Sequence, residues 1–209
     1  MKEFWNETVT KASWDKLTWF ARQFDFILIG GWAAYLWTKM HKSKDIDIIV
    51  DYGVLDELRR NYPLVKNERL RKYEIKQDSF DIDIYVPHYS RLALPVEILS
   101  KHTRRVEGIR TVIPEVLVIL KQGAEMERRG SIKGTKDRID ILALLIYSGF
   151  DLKKYRALLK EFHLERFEKE LHRNLEEFDP KDAGFLGFNH QEFIKWKRSF
   201  LEKLKTIWL

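Results

Sequence analysis

Two short runs, Asp45-Ile46-Asp47-Ile48-Ile49-Val50 and Phe80-Asp81-Ile82-Asp83-Ile84-Tyr85-Val86, hold the side chains best suited to chemistry. Each is rich in β-branched residues and alternates with period two, which predicts a strand. Residues two apart share a face of a strand, so Asp45 and Asp47 point one way and Ile46, Ile48 and Val50 the other. The second run sorts Asp81, Asp83 and Tyr85 against Phe80, Ile82, Ile84 and Val86. If the strands are neighbours, up to four carboxylates converge on one face. Like charges at such distances repel, and a hard cation with oxygen ligands, Mg²⁺ above all, would neutralise them. The ordinary alternative is a set of solvated aspartates on the polar face of a half-buried sheet. Aspartate is disfavoured in strands, however, so the recurrence of the doublet favours a site.

The segment upstream is the element that must position the first doublet. Phe26-Ile27-Leu28-Ile29 reads as a buried strand, Gly30-Gly31 follows, and Trp32 to Met40 has apolar residues at helical spacing. A strand, a glycine pair and a helix N-terminus form a phosphate-binding device, because glycine admits close backbone approach and free N–H groups with the helix dipole attract an anion. A Gly-Gly turn alone is weak evidence. Followed within one helix by an Asp-x-Asp strand, it places an anion cradle beside a cation cradle, as a nucleoside triphosphate with Mg²⁺ requires.

This ordered set, Leu28-Ile29-Gly30-Gly31, then Ser43-Lys44-Asp45-Ile46-Asp47, then Asp81-Ile82-Asp83, resembles the polymerase-β-like nucleotidyltransferase superfamily. Within it the chain looks most similar to small prokaryotic members, the abortive-infection toxin type and the antibiotic-modifying type. The resemblance covers roughly residues 25 to 86. It implies a mixed α/β (α+β) sheet and transfer of a nucleoside monophosphate from an NTP to a hydroxyl. In that reading Asp45, Asp47 and a third carboxylate, Asp83 in preference to Asp81, bind two Mg²⁺ ions, while Gly30, Gly31 and Ser43 hold phosphates. The looser pattern Leu120-Lys121-Gln122-Gly123-Ala124 with Lys136-Asp137-Arg138-Ile139-Asp140 resembles a toxin-type feature. It implies that Lys121 contacts the triphosphate and that Asp137 or Asp140 positions it or an active-site partner. One departure is Trp32, where many members carry Ser or Thr after the glycines.

The remaining elements follow from pattern. Residues 4 to 24 predict an opening helix, Val54 to Arg60 a short helix, Glu68 to Ile75 a strand, and residues 104 to 113 a hairpin turning at Gly108. From Pro114 the chain turns helical, with helices starting at Pro114, near Thr135 and after Asp151, one around Leu164 to Leu175, and a last one carrying Phe193 to Ile207. The expected organisation is a nucleotidyltransferase core over residues 1–113 and a helical lobe over 114–209, with the site in the cleft between them.

Composition bounds the partners. A chain of 209 residues is long enough for one core with an appended lobe, and the absence of cysteine excludes disulfides and thiolate metal sites. No apolar stretch approaches the ~20 residues that span a bilayer, and the first residues lack a signal-peptide core, so a cytoplasmic location is expected. The formal net charge of +6 favours a polyanionic partner. RNA or tRNA is the preferred acceptor, with Arg128 and Arg129 among the basic residues expected to bind it. A small aminoglycoside-like acceptor, or a non-catalytic nucleotide-binding module acting with a cognate toxin or antitoxin protein, are the alternatives.

Overall fold

The computed structural model describes residues 6–206. Its centre is a seven-stranded mixed sheet flanked by helices, the α/β class expected from the alternating pattern. Residues 4 and 5 of the opening helix, and Ile207 of the last, lie outside the described residues.

Helix α1 (Glu7–Gln23) is capped by Asn6, whose side chain accepts from the Thr8 N–H. It leads to β1 (Ile27–Ile29), α2 (Gly30–Thr38), β2 (Ile46–Ile49) and α3 (Tyr52–Asn61). Strands β3 (Leu64–Asn67), β4 (Lys72–Lys76) and β5 (Asp81–Tyr85) come next, then the short α4 (Val96–Leu99) and the hairpin β6 (Thr103–Val106) and β7 (Ile109–Val112). The strand order is β3-β4-β5-β2-β1-β7-β6. β2 runs antiparallel to β1 but parallel to β5, with Ile46 opposite Ile82, Asp47 opposite Asp83 and Ile48 opposite Ile84. All four isoleucines are fully buried on the core face. The alternation thus fixes the register: a one-residue slip would drive aspartates into that core.

The strand expected over 68–75 is shorter and later. Asn67 accepts the Leu70 N–H through its side chain, and Arg71 takes a positive φ of 49°, so residues 68–71 form the turn that joins β3 to β4. That local side-chain bond outcompetes the extended pattern.

The helical half comprises α5 (Pro114–Arg128), α6 (Ile132–Tyr147), α7 (Leu152–Glu161), α8 (Arg166–Glu176), a 3₁₀ helix (Pro180–Leu186) and α9 (His190–Thr206). Pro114 opens α5, and Asp151 caps α7 by accepting from the Lys153 and Lys154 N–H groups. Helix α6 starts three residues before Thr135, capped by Ser131. Gly134 permits that early start, because a Cβ there would lie 2.4 Å from the Arg128 carbonyl oxygen. Helices α5 and α6 both pack on α2, and one apolar cluster continues across residue 113. Among the described residues no helix is long and apolar enough to cross a membrane.

Trp32 fixes α2 in place. It is 1% exposed, lies between Trp14 and Tyr35, and donates its indole N–H to Ser13 Oγ at 2.7 Å. The residue after the glycine pair therefore points into the core as an anchor and cannot meet a phosphate. Trp32→Ala should destabilise the fold by about 3–5 kcal/mol, through lost packing and an emptied cavity. Urea unfolding measures this, and a loss below about 1 kcal/mol would show that α2 is held elsewhere.

Candidate active site

Parallel pairing of β2 with β5 sets Asp47 directly beside Asp83, with Asp45 one turn of the pleat away on the same face. These three carboxylates line a cavity of about 330 Å³. Its other walls are Ile29, Gly30, Gly31 and Ser43 on one side, Lys72 and Tyr85 on the sheet, and Lys121, Arg128, Lys133, Lys136 and Asp137 from α5 and α6. The cavity thus draws on both sides of residue 113.

Asp81 is on the Asp83 face but outside the cavity. Its Oδ2 pairs with Lys76 at 2.9 Å, while its backbone N–H donates to Asp45 Oδ1 at 3.2 Å. Only three of the four aspartates converge, because Asp81 stands at the start of β5 where the neighbouring strand supplies a lysine.

The glycine pair is a close-approach point. Gly30 has φ +71°, and a Cβ there would lie 2.1 Å from Asp47 Oδ2. A Cβ on Gly31 would lie 2.4 Å from Ser43 Oγ. Both positions exclude a side chain, so the N-terminus of α2 lies against Asp47 and Ser43. The helix dipole favours that carboxylate as it would a phosphate. Ser43 is buried and its hydroxyl donates to the Asp45 carbonyl at 3.3 Å.

Burial, then the neighbouring Asp83 charge, pushes the Asp47 carboxyl up to about 7. Burial also raises Asp83, against the pull of Lys72, whose Nζ lies 2.6 Å from Asp83 Oδ2. Asp83 Oδ1 is buried and has no hydrogen-bond partner. Tyr85, two residues along the same face, donates weakly to Asp47 Oδ1 at 3.4 Å. An orphaned carboxylate oxygen beside a carboxyl that resists ionisation is the environment a hard cation relieves, and all the donors are oxygen. As placed, no three acidic or imidazole groups among the described residues form an ion-holding cluster. Asp47 and Asp83 are the adjacent pair, and Asp45 is engaged by Lys133 at 3.5 Å.

The second wall is a buried charge network. Lys121 Nζ sits 3.0 Å from Asp137 and 2.8 Å from Asp140, and Lys136 Nζ is 2.9 Å from Asp140. Burial pulls Lys121 down, but Asp140 and Asp137 outweigh it and hold the ammonium above its usual range. For Lys136 burial wins and the amine lies below its usual range. Asp140 lies behind the lysines rather than on the cavity wall, and Asp137 also accepts from Arg128 Nε at 2.6 Å. Lys121, Asp137 and Asp140 are therefore brought together, with the aspartates orienting lysines.

Three basic residues stand on the cavity wall that the pattern did not assign to the site. Lys72 lies in the run expected to be a strand and stood out only as part of the basic cluster Arg69, Arg71 and Lys72, with nothing to assign it to the carboxylates. Lys136 was visible as the first residue of the Lys-Asp-x-x-Asp pattern and, with Arg128 and Lys133, as part of a basic cluster. Arg128, expected only as an RNA-binding residue, stands on the cavity wall with Lys121 and Asp137. Its neighbour Arg129 pairs with Glu125 at 2.8 Å and Glu170 at 2.5 Å, so it is engaged within the helical half.

No family model matches the chain, and no curated protein matches its sequence. Solved structures with a similar trace include an antigenic nucleotidyltransferase-like protein from Paracoccidioides brasiliensis, 14% identical with a TM-score of 0.45, covering 87% of this chain and 93% of that one. JHP933 from Helicobacter pylori is 16% identical with a TM-score of 0.45 over 98% of this chain and 99% of that one. The Megavirus polyadenylate synthase is 16% identical with a TM-score of 0.46, and 68% of this chain corresponds to 32% of that larger one. The chemistry of this chain rests on its own cavity.

The Asp47 carboxyl ties stability to pH. Its folded pKa, about 7, lies above the ordinary 3.8, so the native state holds a proton that the unfolded chain has released between these values. Stability should fall as pH rises through that window, by at most about 4 kcal/mol from this group. Asp47→Asn should flatten the fall and raise the melting temperature of the cation-free protein at pH 8 relative to wild type. Equal melting temperatures for the two proteins at pH 8 would contradict the burial of an ionised Asp47.

Proposed function

We propose that the chain is a divalent-cation-dependent nucleotidyltransferase that moves a nucleoside monophosphate from an NTP to a hydroxyl acceptor, releasing pyrophosphate. The observation that carries this reading is the in-register pair Asp47–Asp83, set beside the Gly30–Gly31 helix N-terminus on the wall of one cavity.

Asp47 and Asp83 would hold the cation, with Asp45 joining as it leaves Lys133. Two bound Mg²⁺ ions would supply charge stabilisation of the attacking and leaving oxygens. Gly30 and Gly31, the Ser43 hydroxyl and the ammonium groups of Lys121 and Lys136 would hold the β- and γ-phosphates. Asp137 and Asp140 keep those two lysines extended toward the cavity, so no reorganisation is needed on binding. Asp83, as a ligand of the cation, would help deprotonate the acceptor hydroxyl, whose proton passes to solvent. The acceptor oxygen then forms its bond to the α-phosphorus as the bond to the β-phosphate oxygen breaks, and pyrophosphate leaves with that electron pair.

The cavity lining carries seven Lys or Arg side chains against five Asp or Glu. That balance favours polyanionic ligands, an NTP and an RNA acceptor, over a polycationic aminoglycoside.

Incubation with labelled NTPs, Mg²⁺ and total RNA should give labelled RNA. Charge stabilisation at such a site contributes several kcal/mol, with each ~1.4 kcal/mol worth a factor of ten in rate. Asp83→Ala should therefore lower turnover by several orders of magnitude, while Asp81→Ala should lower it less than about tenfold. The opposite ranking would transfer the role to Asp81, and turnover persisting in EDTA would remove the cation from the mechanism.

A further inference from the structure

Lys72 and Glu74 lie two apart on β4 and share a face, and Glu74 stands directly opposite Asp83 in the antiparallel β4–β5 register. Lys72 Nζ reaches Asp83 Oδ2 at 2.6 Å and Glu74 Oε1 at 3.1 Å. Glu74 is itself fully engaged, taking Asn67 Nδ2 on Oε1 at 2.9 Å and Lys76 on Oε2 at 3.1 Å. The Lys72 side chain is only 11% exposed. Removing its ammonium from between two carboxylates would leave both short of their counter-charge, which is costly in a buried setting. Lys72 is thus a fixed part of the site.

The consequence falls on Asp83. One of its oxygens is occupied by a cation built into the sheet, and the other, Oδ1, is buried and has no partner. Had the pair served stability alone, both oxygens would be expected to be satisfied. A carboxylate arranged in this way can meet an ion through one oxygen only.

Resting on the reading of the site as a divalent-cation centre, we propose that Lys72 is a positioning residue that makes Asp83 a one-oxygen ligand, and thereby selects a small octahedral cation such as Mg²⁺ over Ca²⁺. Mg²⁺ takes about six ligands in strict octahedral geometry and keeps several waters. Ca²⁺ takes about six to eight oxygens and gains from carboxylates that bind through both. Blocking Oδ2 denies Ca²⁺ the second oxygen and costs Mg²⁺ little.

Calorimetric titration of MgCl₂ and of CaCl₂ into the nucleotide-free full chain tests this directly. Wild type should bind Mg²⁺ at least about tenfold more tightly than Ca²⁺. In Lys72→Met, Ca²⁺ affinity should rise about tenfold or more while Mg²⁺ affinity changes less than about threefold. Lys72→Arg, which keeps a cation on Oδ2, should retain the wild-type ratio. Circular dichroism identifies a misfolded Met variant, in which case the wild-type ratio and the Arg variant decide. Equal wild-type affinities for the two ions, or a Met variant in which both rise together, would overturn the selectivity role while leaving the cation centre intact. Wild type that binds neither ion would overturn the cation centre, and this inference with it.

Discussion

The parallel contact between β2 and β5 is the constraint on which the rest of the site depends. It places Asp47 against Asp83 in exact strand register, with four buried isoleucines on the opposite face holding that register. Hydrophobic burial on one side of the sheet thus enforces carboxylate repulsion on the other. The fold accepts this because slipping either strand by one residue would bury the aspartates and expose the isoleucines. Part of the repulsion is relieved by protonation, since Asp47 is raised to about 7. Part is relieved by lysines set into the neighbouring strand and helices.

Those lysines are placed with unusual economy of access to water. Lys72, Lys121 and Lys136 are each buried, and each is tied to at least one aspartate or glutamate. Buried ion pairs are poor sources of stability, because desolvation takes back most of the Coulomb gain. Apolar residues of similar size would serve a purely structural interface at least as well. A wall of buried lysines facing a wall of half-buried aspartates, with α2 starting at Gly30 beside them, is better explained as a surface pre-set for an anion and a cation together.

Much of this was legible in the sequence. The period-two alternation placed Asp45, Asp47, Asp81 and Asp83 on strand faces, and the apolar run into Gly30-Gly31 marked the turn and helix that β2 follows. What alternation could not reveal was which strand pairs with which, so the separation of Asp81 from the other three was hidden. It depends on Lys76, which stands opposite Asp81 across the β4–β5 register. The pairing of Lys72 with Asp83 was hidden for the same reason, since its partner lies 11 positions away in sequence, on the adjacent strand. The β3–β4 turn was missed because the Asn67 side-chain bond to Leu70 acts against a convincing strand pattern. Trp32 looked like a departure from a phosphate-binding element, yet its bulk is spent in the core, where only packing against Trp14 and Tyr35 explains it.

The central claim is that the Asp47–Asp83 pair and the α2 N-terminus form one site in which cation and triphosphate are held together. The most direct test is equilibrium binding of an NTP analogue with a non-hydrolysable α,β bridge, with and without Mg²⁺. Binding should require Mg²⁺ in the wild type and be lost in Asp47→Asn. Binding of equal strength without Mg²⁺, and undiminished in that variant, would contradict the account.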